Sequence, residues 1–225
     1  MSAQSKVAAL VCEGPSDIPV LTAIIQKLWP AVDVVLTLHP EIDQLGKAKK
    51  NAKTGWSEVR AWCIANAGQL EFVMNPDIGD PIDLLVIALD VDIAIQAKIE
   101  NPPANIKAYD ASRLVREVKK WLGSPKQRLP REIVIAIPAM AIETWVVAAL
   151  HPKEKHPEHI FEPAAYLVKK GHLDTGTNGK PLKPVSKYTD FAIHVSARLK
   201  QVRERCSRTA IFCVDVLRVR DSNVS

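Results

Sequence analysis

The feature that most constrains the fold is the hexapeptide Leu84 to Leu89 (LLVIAL), apolar at every position and stopped by Asp90-Val91-Asp92. A strand with one wet face alternates polar and apolar residues, so a short run that is apolar throughout has to be covered on both faces. Ile133 to Ile137 and, after Lys6, the run to Cys12 (KVAALVC) share this character, and Val32 to Leu36 is a further β-branched run. Between them, apolar residues recur at helical spacing. Ile18, Leu21, Ile24, Ile25 and Leu28 follow the first run, with Ser16 as an expected N-cap and Pro19 in the first turn, where its missing N–H costs little. Val59, Trp62 and Cys63 mark a helix from about Trp56 to Leu70, and Leu114, Val115, Val118, Trp121 and Leu122 mark one from about Ala111 to Leu122. Buried strands alternating with amphipathic helices specify an α/β fold, a mainly parallel, Rossmann-like sheet flanked by helices.

This core is expected to span residues 1–150, closed by a helix over Ala141 to Leu150 with Ile142, Trp145, Val146 and Ala149 on its apolar face and Glu143 at the flank. Residues 151–225 read as a loop-rich, mostly helical C-terminal extension packing on the core, broken by Pro and Gly up to Pro184 and ending in a helix from about Tyr188 to Arg205. Charge divides the same way. Met1 to Leu150 carries 16 Lys+Arg against 17 Asp+Glu, whereas His151 to Ser225 carries 14 against 8. A basic extension beside a neutral core suits contact with a polyanion.

No apolar run approaches the roughly eighteen residues of a membrane span, so no membrane partner is expected. The first apolar run ends in Cys12-Glu13-Gly14 and lacks the longer apolar stretch of a signal peptide, which makes it a strand. Cys12, Cys63, Cys206 and Cys213 form no CxxC pair, and Cys12 and Cys63 fall within strand and helix patterns. Reduced, buried thiols and a cytoplasmic setting are expected.

In parallel sheets ligands bind outside the carboxyl ends of the strands. Three such ends are acidic here: Glu13 after the first strand, Asp90 and Asp92 after Leu84–Leu89, and Glu143 a few residues past the fourth. If Asp90 to Asp92 stays extended, its two-residue period puts both carboxylates on one side. Grouped carboxylates raise one another's pKa unless a cation neutralises them, and hard oxygen donors favour Mg²⁺ or Mn²⁺.

The string Val11-Cys12-Glu13-Gly14-Pro15-Ser16-Asp17 at the end of the first strand, with Leu89-Asp90-Val91-Asp92 at a later strand end, resembles the Toprim fold of topoisomerases, DnaG-type primases and OLD-family nucleases. Within that group the chain is most similar to OLD-like nucleases and small bacterial relatives, in which an acid follows four residues after the Glu and a further Glu follows the last core strand. Asp17 and Glu143 match those positions. Ala141 departs from the pattern, because the nucleases tend to carry Ser in a Ser-x-Glu motif. The resemblance covers about residues 6 to 150. It implies Mg²⁺- or Mn²⁺-dependent phosphodiester cleavage of DNA or RNA with one or two ions, in a bacterial (phage) defence or repair setting. Glu13, Asp90 and Asp92 would be catalytic. Metal would be held by Glu13, Asp17, Asp90, Asp92 and Glu143, one ion generating the attacking hydroxide and a second stabilising the leaving oxygen.

No GxxxxGK[ST] is present, so an ATPase partner, if one is used, would be a separate chain. Two other readings stay open: a non-catalytic Toprim-like module that binds metal or nucleic acid beside such an ATPase, and a primase-like nucleotidyl transferase. Candidate nucleic-acid contacts are Lys47, Lys49, Lys50 and Lys53 in the Gly46 to Gly55 loop, and Lys169, Lys170 and Lys187 in the basic extension. His151, His156 and His159 sit in a Pro-broken, charged segment without a cysteine partner, which suits a solvated loop better than zinc. Asp77, Asp80 and Asp83 precede the third strand and belong at its opposite end, as turn formers.

Overall fold

A computed structural model of the chain describes residues 5–44, 46–50, 52–93, 111–124 and 129–223. The four strands form where the apolar runs lie: β1 (Lys6–Val11), β2 (Val32–His39), β3 (Leu84–Ala88) and β4 (Ile133–Ala136). All pair in parallel, in the order β2-β1-β3-β4. The two central strands are covered on both faces, and their side chains divide with period two. Ala8, Leu10 and Cys12 of the first strand face the same cluster as Leu84, Val86 and Ala88 of the third, while Val7, Ala9 and Val11 face the other cluster with Leu85, Ile87 and Leu89.

The helices supply the two outer layers. On one side lie α2 (Trp56–Ala65), α3 (Leu70–Met74) and α4 (Ala111–Trp121), through Val59, Cys63, Leu70, Leu114 and Val118. The other side is built from α1 (Asp17–Leu28) and from the chain after β4: α5 (Glu143–Leu150), α6 (Pro163–Lys169), α7 (Val185–Ala197), α8 (Leu199–Arg205) and α9 (Ser207–Ser222). Tyr188, Phe191, Val195, Val202, Phe212 and Val216 share one buried cluster with Ala8, Leu10, Val20 and Ile24, so the C-terminal third forms much of one face of the core. The fold is therefore α/β, Rossmann-like, with a helical C-terminal part. No described helix is long and apolar enough to cross a membrane.

Several local expectations change. The helix expected over 56 to 70 breaks into α2 and α3, separated by a turn at Asn66 to Gly68 in which Gly68 takes φ 76°. Ser16 does not cap α1: it is already in helical conformation and its hydroxyl makes no capping bond. The Asp17 carboxylate instead accepts the Gly14 N–H at 3.0 Å, reaching back to the turn from inside the helix. α5 has no exposed face, since every residue from Glu143 to Ala149 is buried. The single helix expected over Tyr188 to Arg205 is two, α7 and α8, and α9 follows them. The Pro-containing segment after residue 93 lies outside the described residues. Asp83 is more than a turn former: it pairs with Lys6 Nζ at 2.8 Å and accepts the Val7 N–H at 2.9 Å, tying together the amino ends of β1 and β3.

The end of α5 is held by arginines from the C-terminal layer. Arg198 donates to the Ala149 carbonyl at 2.6 Å, and Arg205 donates to the carbonyls of Ala148, His151 and Glu154. These bonds satisfy carbonyls that a helix end leaves without intrahelical donors. Arg205→Met is expected to lower the unfolding free energy by about 1–3 kcal/mol, the usual cost of polar groups left unpaired in a partly buried setting. For a chain of this size that is roughly 2–4 °C in Tm per kcal/mol, measurable by thermal melting.

Candidate functional site

Each expected acidic residue arrives at the carboxyl edge of the sheet by a different local route. Glu13 leaves β1 directly, and its Oε1 accepts the backbone N–H of Asp90 at 2.8 Å, which locks the end of β1 to the end of β3. Asp17 opens α1, where its carboxylate bonds Gly14 N–H and lies 3.4 Å from the Ser16 hydroxyl that donates to it. Glu143 opens α5. The chain reaches it through a tight reversal after β4 in which buried Met140 takes φ 62°, a left-handed conformation that costs a residue with a Cβ about 1–2 kcal/mol. Thr144 supports that turn by donating to the Ala139 carbonyl at 2.6 Å.

The segment after β3 does not stay extended. β3 ends at Ala88, residues 91–92 form a turn, and buried Val91 and Ile93 anchor it from either side of Asp92. The Val91 N–H goes to the Pro138 carbonyl at 3.2 Å. Asp90 and Asp92 consequently face different spaces. Asp90 lines a narrow crevice with Glu13 and Asp17, in which no water-sized sphere fits. Asp92 lines a separate cleft of about 330 Å³ together with Glu143.

The electrostatics follow from this crowding. Burial pushes Glu13 up to about 8, with Asp17 and Asp92 adding to the effect and the Asp90 N–H opposing it. Burial, and then the Glu143 carboxylate, raises Asp17 to about 6. Asp90 is driven well above the ordinary carboxyl range by burial and then by Glu13, Asp17 and Glu143. Asp92 is raised as well, chiefly by burial, with Lys183 opposing. Cys12, beside Glu13, is fully buried, and its thiol is pushed far up by burial and by Asp17, so it is no thiolate nucleophile.

One cation acts on the whole group. Lys183 Nζ lies 2.7 Å from Glu143 Oε1, which also accepts the buried Tyr188 hydroxyl. Its charge also opposes the upward shifts of Glu13, Asp17, Asp90 and Asp92. Burial by itself would lower the Lys183 pKa, but the Glu143 contact and the surrounding carboxylates raise it, so Lys183 stays an ammonium. Glu143 itself is 0% exposed, and its Oε2 has no hydrogen-bond partner. Among the described residues no three carboxylate, imidazole or thiol groups are gathered in a ready-made metal shell.

The lysines divide differently from expectation. Lys47 lines a cleft of about 730 Å³ with Pro15, Ser16 and Lys183, next to the carboxylates. Lys49, Lys50 and Lys53 line another hollow with His39, Glu41 and Glu58, and Lys49 pairs with Glu41 at 3.0 Å. The loop is nevertheless tied to the site, because the Gly55 N–H donates to the Glu13 carbonyl at 2.8 Å. Lys169, Lys170 and Lys187 are exposed on or beside α6 and α7 and line neither cleft; Lys170 lies over the Tyr166 ring. The place next to the carboxylates belongs to Lys183. Sequence reasoning misses Lys183 and Tyr188 because their partner Glu143 is 40 and 45 residues away. The one local signal is the Pro-flanked setting of Lys183 between Pro181 and Pro184. Of the three histidines set aside, His156 stacks on His159 while His151 turns to Tyr166 and His172.

No family model, curated protein or solved structure matches this chain. The chemistry therefore rests on the site's own residues. Carboxyls with raised pKa hold protons in the folded chain that the unfolded chain has released. Their stabilising contribution is complete below the unfolded carboxyl range, near about pH 4, and is lost as pH rises through the folded values. For Asp17 and Glu13 those values are about 6 and about 8. In the presence of a chelator, Tm is expected to fall between about pH 5 and about pH 8.5, and Asp90→Asn should flatten that fall. Differential scanning fluorimetry across pH checks this, and a Tm indifferent to pH in wild type would contradict it.

Proposed function

We propose that this protein is a Mg²⁺- or Mn²⁺-dependent phosphodiesterase acting on DNA or RNA. The observation that carries the reading is the gathering of Glu13, Asp17, Asp90, Asp92 and Glu143 at the carboxyl edge of a parallel sheet, beside the Lys183 ammonium, which acts on all five. The donor set fits a hard divalent cation: every ligand is a carboxylate oxygen, the charges are under-compensated, and buried Glu143 Oε2 is unpartnered. Asp90 and Asp92 with Glu13 would hold one ion, and Asp17 with Glu143 a second, which requires the side chains to leave their present hydrogen bonds and Asp92 to turn out of its own cleft toward Asp90. Such an ion supplies Lewis-acid charge to a phosphodiester oxygen.

The chain's own groups do the rest. Lys183, 42% exposed, offers an ammonium to a non-bridging phosphate oxygen and thereby stabilises developing negative charge. If Glu13 stays outside the ion's shell, its carboxyl, pushed up to about 8 by burial, is suited instead to hold or release a proton near neutral pH. Lys47, across the cleft it shares with Lys183, is placed to hold a neighbouring phosphate. The similarity of the Glu13 and Asp90 motifs to Toprim nucleases supports the same chemistry and extends the proposal to a bacterial defence or repair role.

Supercoiled DNA, single-stranded DNA and RNA incubated with Mg²⁺ or Mn²⁺ test the proposal. Cleavage is expected in wild type, and both Glu13→Gln and Asp90→Asn should abolish it. Lys183→Met should lower kcat by about 10²–10³, the usual loss for one group stabilising transition-state charge. Cleavage that survives in both carboxyl variants, or no cleavage of any substrate, would overturn it.

One observation favours a second reading. Glu143 already carries Lys183 and Tyr188, an arrangement that neutralises a carboxylate without metal. A non-catalytic module that binds nucleic acid, or serves an ATPase supplied by another chain, is consistent with that. Calorimetry would then show metal or nucleic-acid binding with no turnover, or turnover only when the ATPase is added.

A further inference from the structure

Two clefts meet at Lys183, and their linings differ. The larger carries Lys47 and the hydroxyl-bearing Ser16, Ser186 and Thr189 among the apolar Pro15, Ala48, Pro184 and Val185. The smaller, of about 330 Å³, is lined by Asp92, Glu143, Lys180 and Lys183 together with Phe161 and the small residues Ala141 and Ala164. Phe161 is 61% exposed. A lone exposed aromatic needs no explanation, but this ring belongs to the same cleft as two of the candidate metal ligands and their lysine.

The wall that carries the lysines is built to hold its shape. Thr175 and Pro181 form an antiparallel bridge, the Gly176 N–H donates to the Lys180 carbonyl at 2.8 Å, and the Leu182 N–H donates to the Asp174 carbonyl at 2.8 Å. Gly179 takes φ 75° at the tip of this tight turn, a conformation that glycine adopts without steric cost. Lys180 and Lys183 are thus presented from a hydrogen-bonded hairpin beside the aromatic ring. The cleft's volume is at the low end of the range for small-molecule sites, about 300–1,000 Å³, and is far too small for a duplex.

We infer that this cleft receives one unstacked base of a single-stranded nucleic acid, its face on Phe161, with the adjoining phosphate at Lys183. The inference rests on the phosphodiesterase reading for its placement and adds the substrate class: single strands or frayed ends in preference to continuous duplex. Within a duplex the base faces are covered by their neighbours, so only an unstacked base can meet the ring. Stacking of a base on an aromatic side chain is sequence-tolerant and contributes about 1–3 kcal/mol per base. The larger cleft that shares Lys183 offers Lys47 and three hydroxyls, groups that hold a sugar-phosphate backbone without reading bases.

The test compares fluorescein-labelled single-stranded and duplex DNA of one sequence, bound to the full chain in Ca²⁺, together with a single strand carrying 2-aminopurine. Phe161→Ala is expected to weaken single-strand binding by about 5- to 150-fold, the stacking contribution expressed as a ratio, with duplex binding changed by less than about twofold. Phe161→Trp should restore the affinity. Wild type and the Trp variant should quench 2-aminopurine emission, and the Ala variant should not. Equal single-strand affinity in wild type and Phe161→Ala would overturn the inference while leaving the nuclease reading intact if wild type still cuts in Mg²⁺. Phe161-dependent binding without cleavage would sustain the inference and overturn the nuclease reading. Absence of binding to any nucleic acid would overturn both.

Discussion

Among the described residues, five carboxyl groups share one edge of the sheet with the Lys183 ammonium, and the rest of the site is arranged around that imbalance. Removing a carboxylate from water is costly unless other donors replace the lost hydration. The chain replaces it piecemeal: the Asp90 N–H for Glu13, the Gly14 N–H and Ser16 hydroxyl for Asp17, and Lys183 with Tyr188 for Glu143. Asp17 and Glu143 also stand at the first positions of α1 and α5, where the helix dipole favours negative charge. These donors do not balance the account, and the surplus appears as raised proton affinity in Glu13, Asp17, Asp90 and Asp92. A fold that tolerates such a surplus sacrifices stability at neutral pH, which is the usual mark of a site kept for chemistry and not for structure.

That imbalance ties the two parts of the chain together. Glu143 belongs to the segment that follows β4, whereas Lys183 and Tyr188 come from the C-terminal third, and their contact with Glu143 joins the layers at the site itself. The same third covers one face of the sheet through Tyr188, Phe191, Val195 and Phe212, and it holds the end of α5 through Arg198 and Arg205. Hydrophobic cover, helix termination and charge compensation thus come from one stretch of chain. Its basic composition is partly explained by these internal duties, since Arg198, Arg205 and Lys183 are all spent on groups of the protein itself.

What was legible in the sequence was what depends on local pattern. Mainly apolar runs of five to seven residues marked all four strands, most plainly β3, where cover on both faces leaves no polar position, and least plainly the edge strand β2, which carries Asp33 and exposes Val34 and Leu36. The acidic strand ends followed from the same runs. The fate of Asp90 and Asp92 did not, since the turn that separates them is set by the burial of Val91 and Ile93 and by the distant Pro138 carbonyl. α9 was missed although Thr209, Phe212, Cys213, Val216 and Val219 fall on one helical face. Exposed Ile211 and Val214 blur that stripe, and its valines weaken the helical signal. Lys183 could not be found locally at all, because its meaning lies in a partner 40 residues earlier. Charge count likewise says nothing about which lysine faces inward: Lys169, Lys170 and Lys187 lie exposed on the outer surface, whereas Lys183 reaches the carboxylates.

The separation of Asp90 from Asp92 also gives the site a direction. Glu13, Asp17 and Asp90 face a crevice too tight for water, where electrostatic interactions are strong and proton affinities are highest. Asp92, Glu143 and Lys183 face the open cleft with Phe161. Under the phosphodiesterase reading, the inner group is suited to proton handling and the outer group to meeting the phosphate. Lys183 is the hinge of that division, since it touches the buried Glu143, acts on the inner carboxyls and is still 42% exposed. A lysine suits this position because its charge sits at the end of a flexible stem with three donors, able to serve a carboxylate and a phosphate from one backbone position. An arginine there would present a planar fork matched to one carboxylate, which would strengthen the internal pair at the expense of the outward contact.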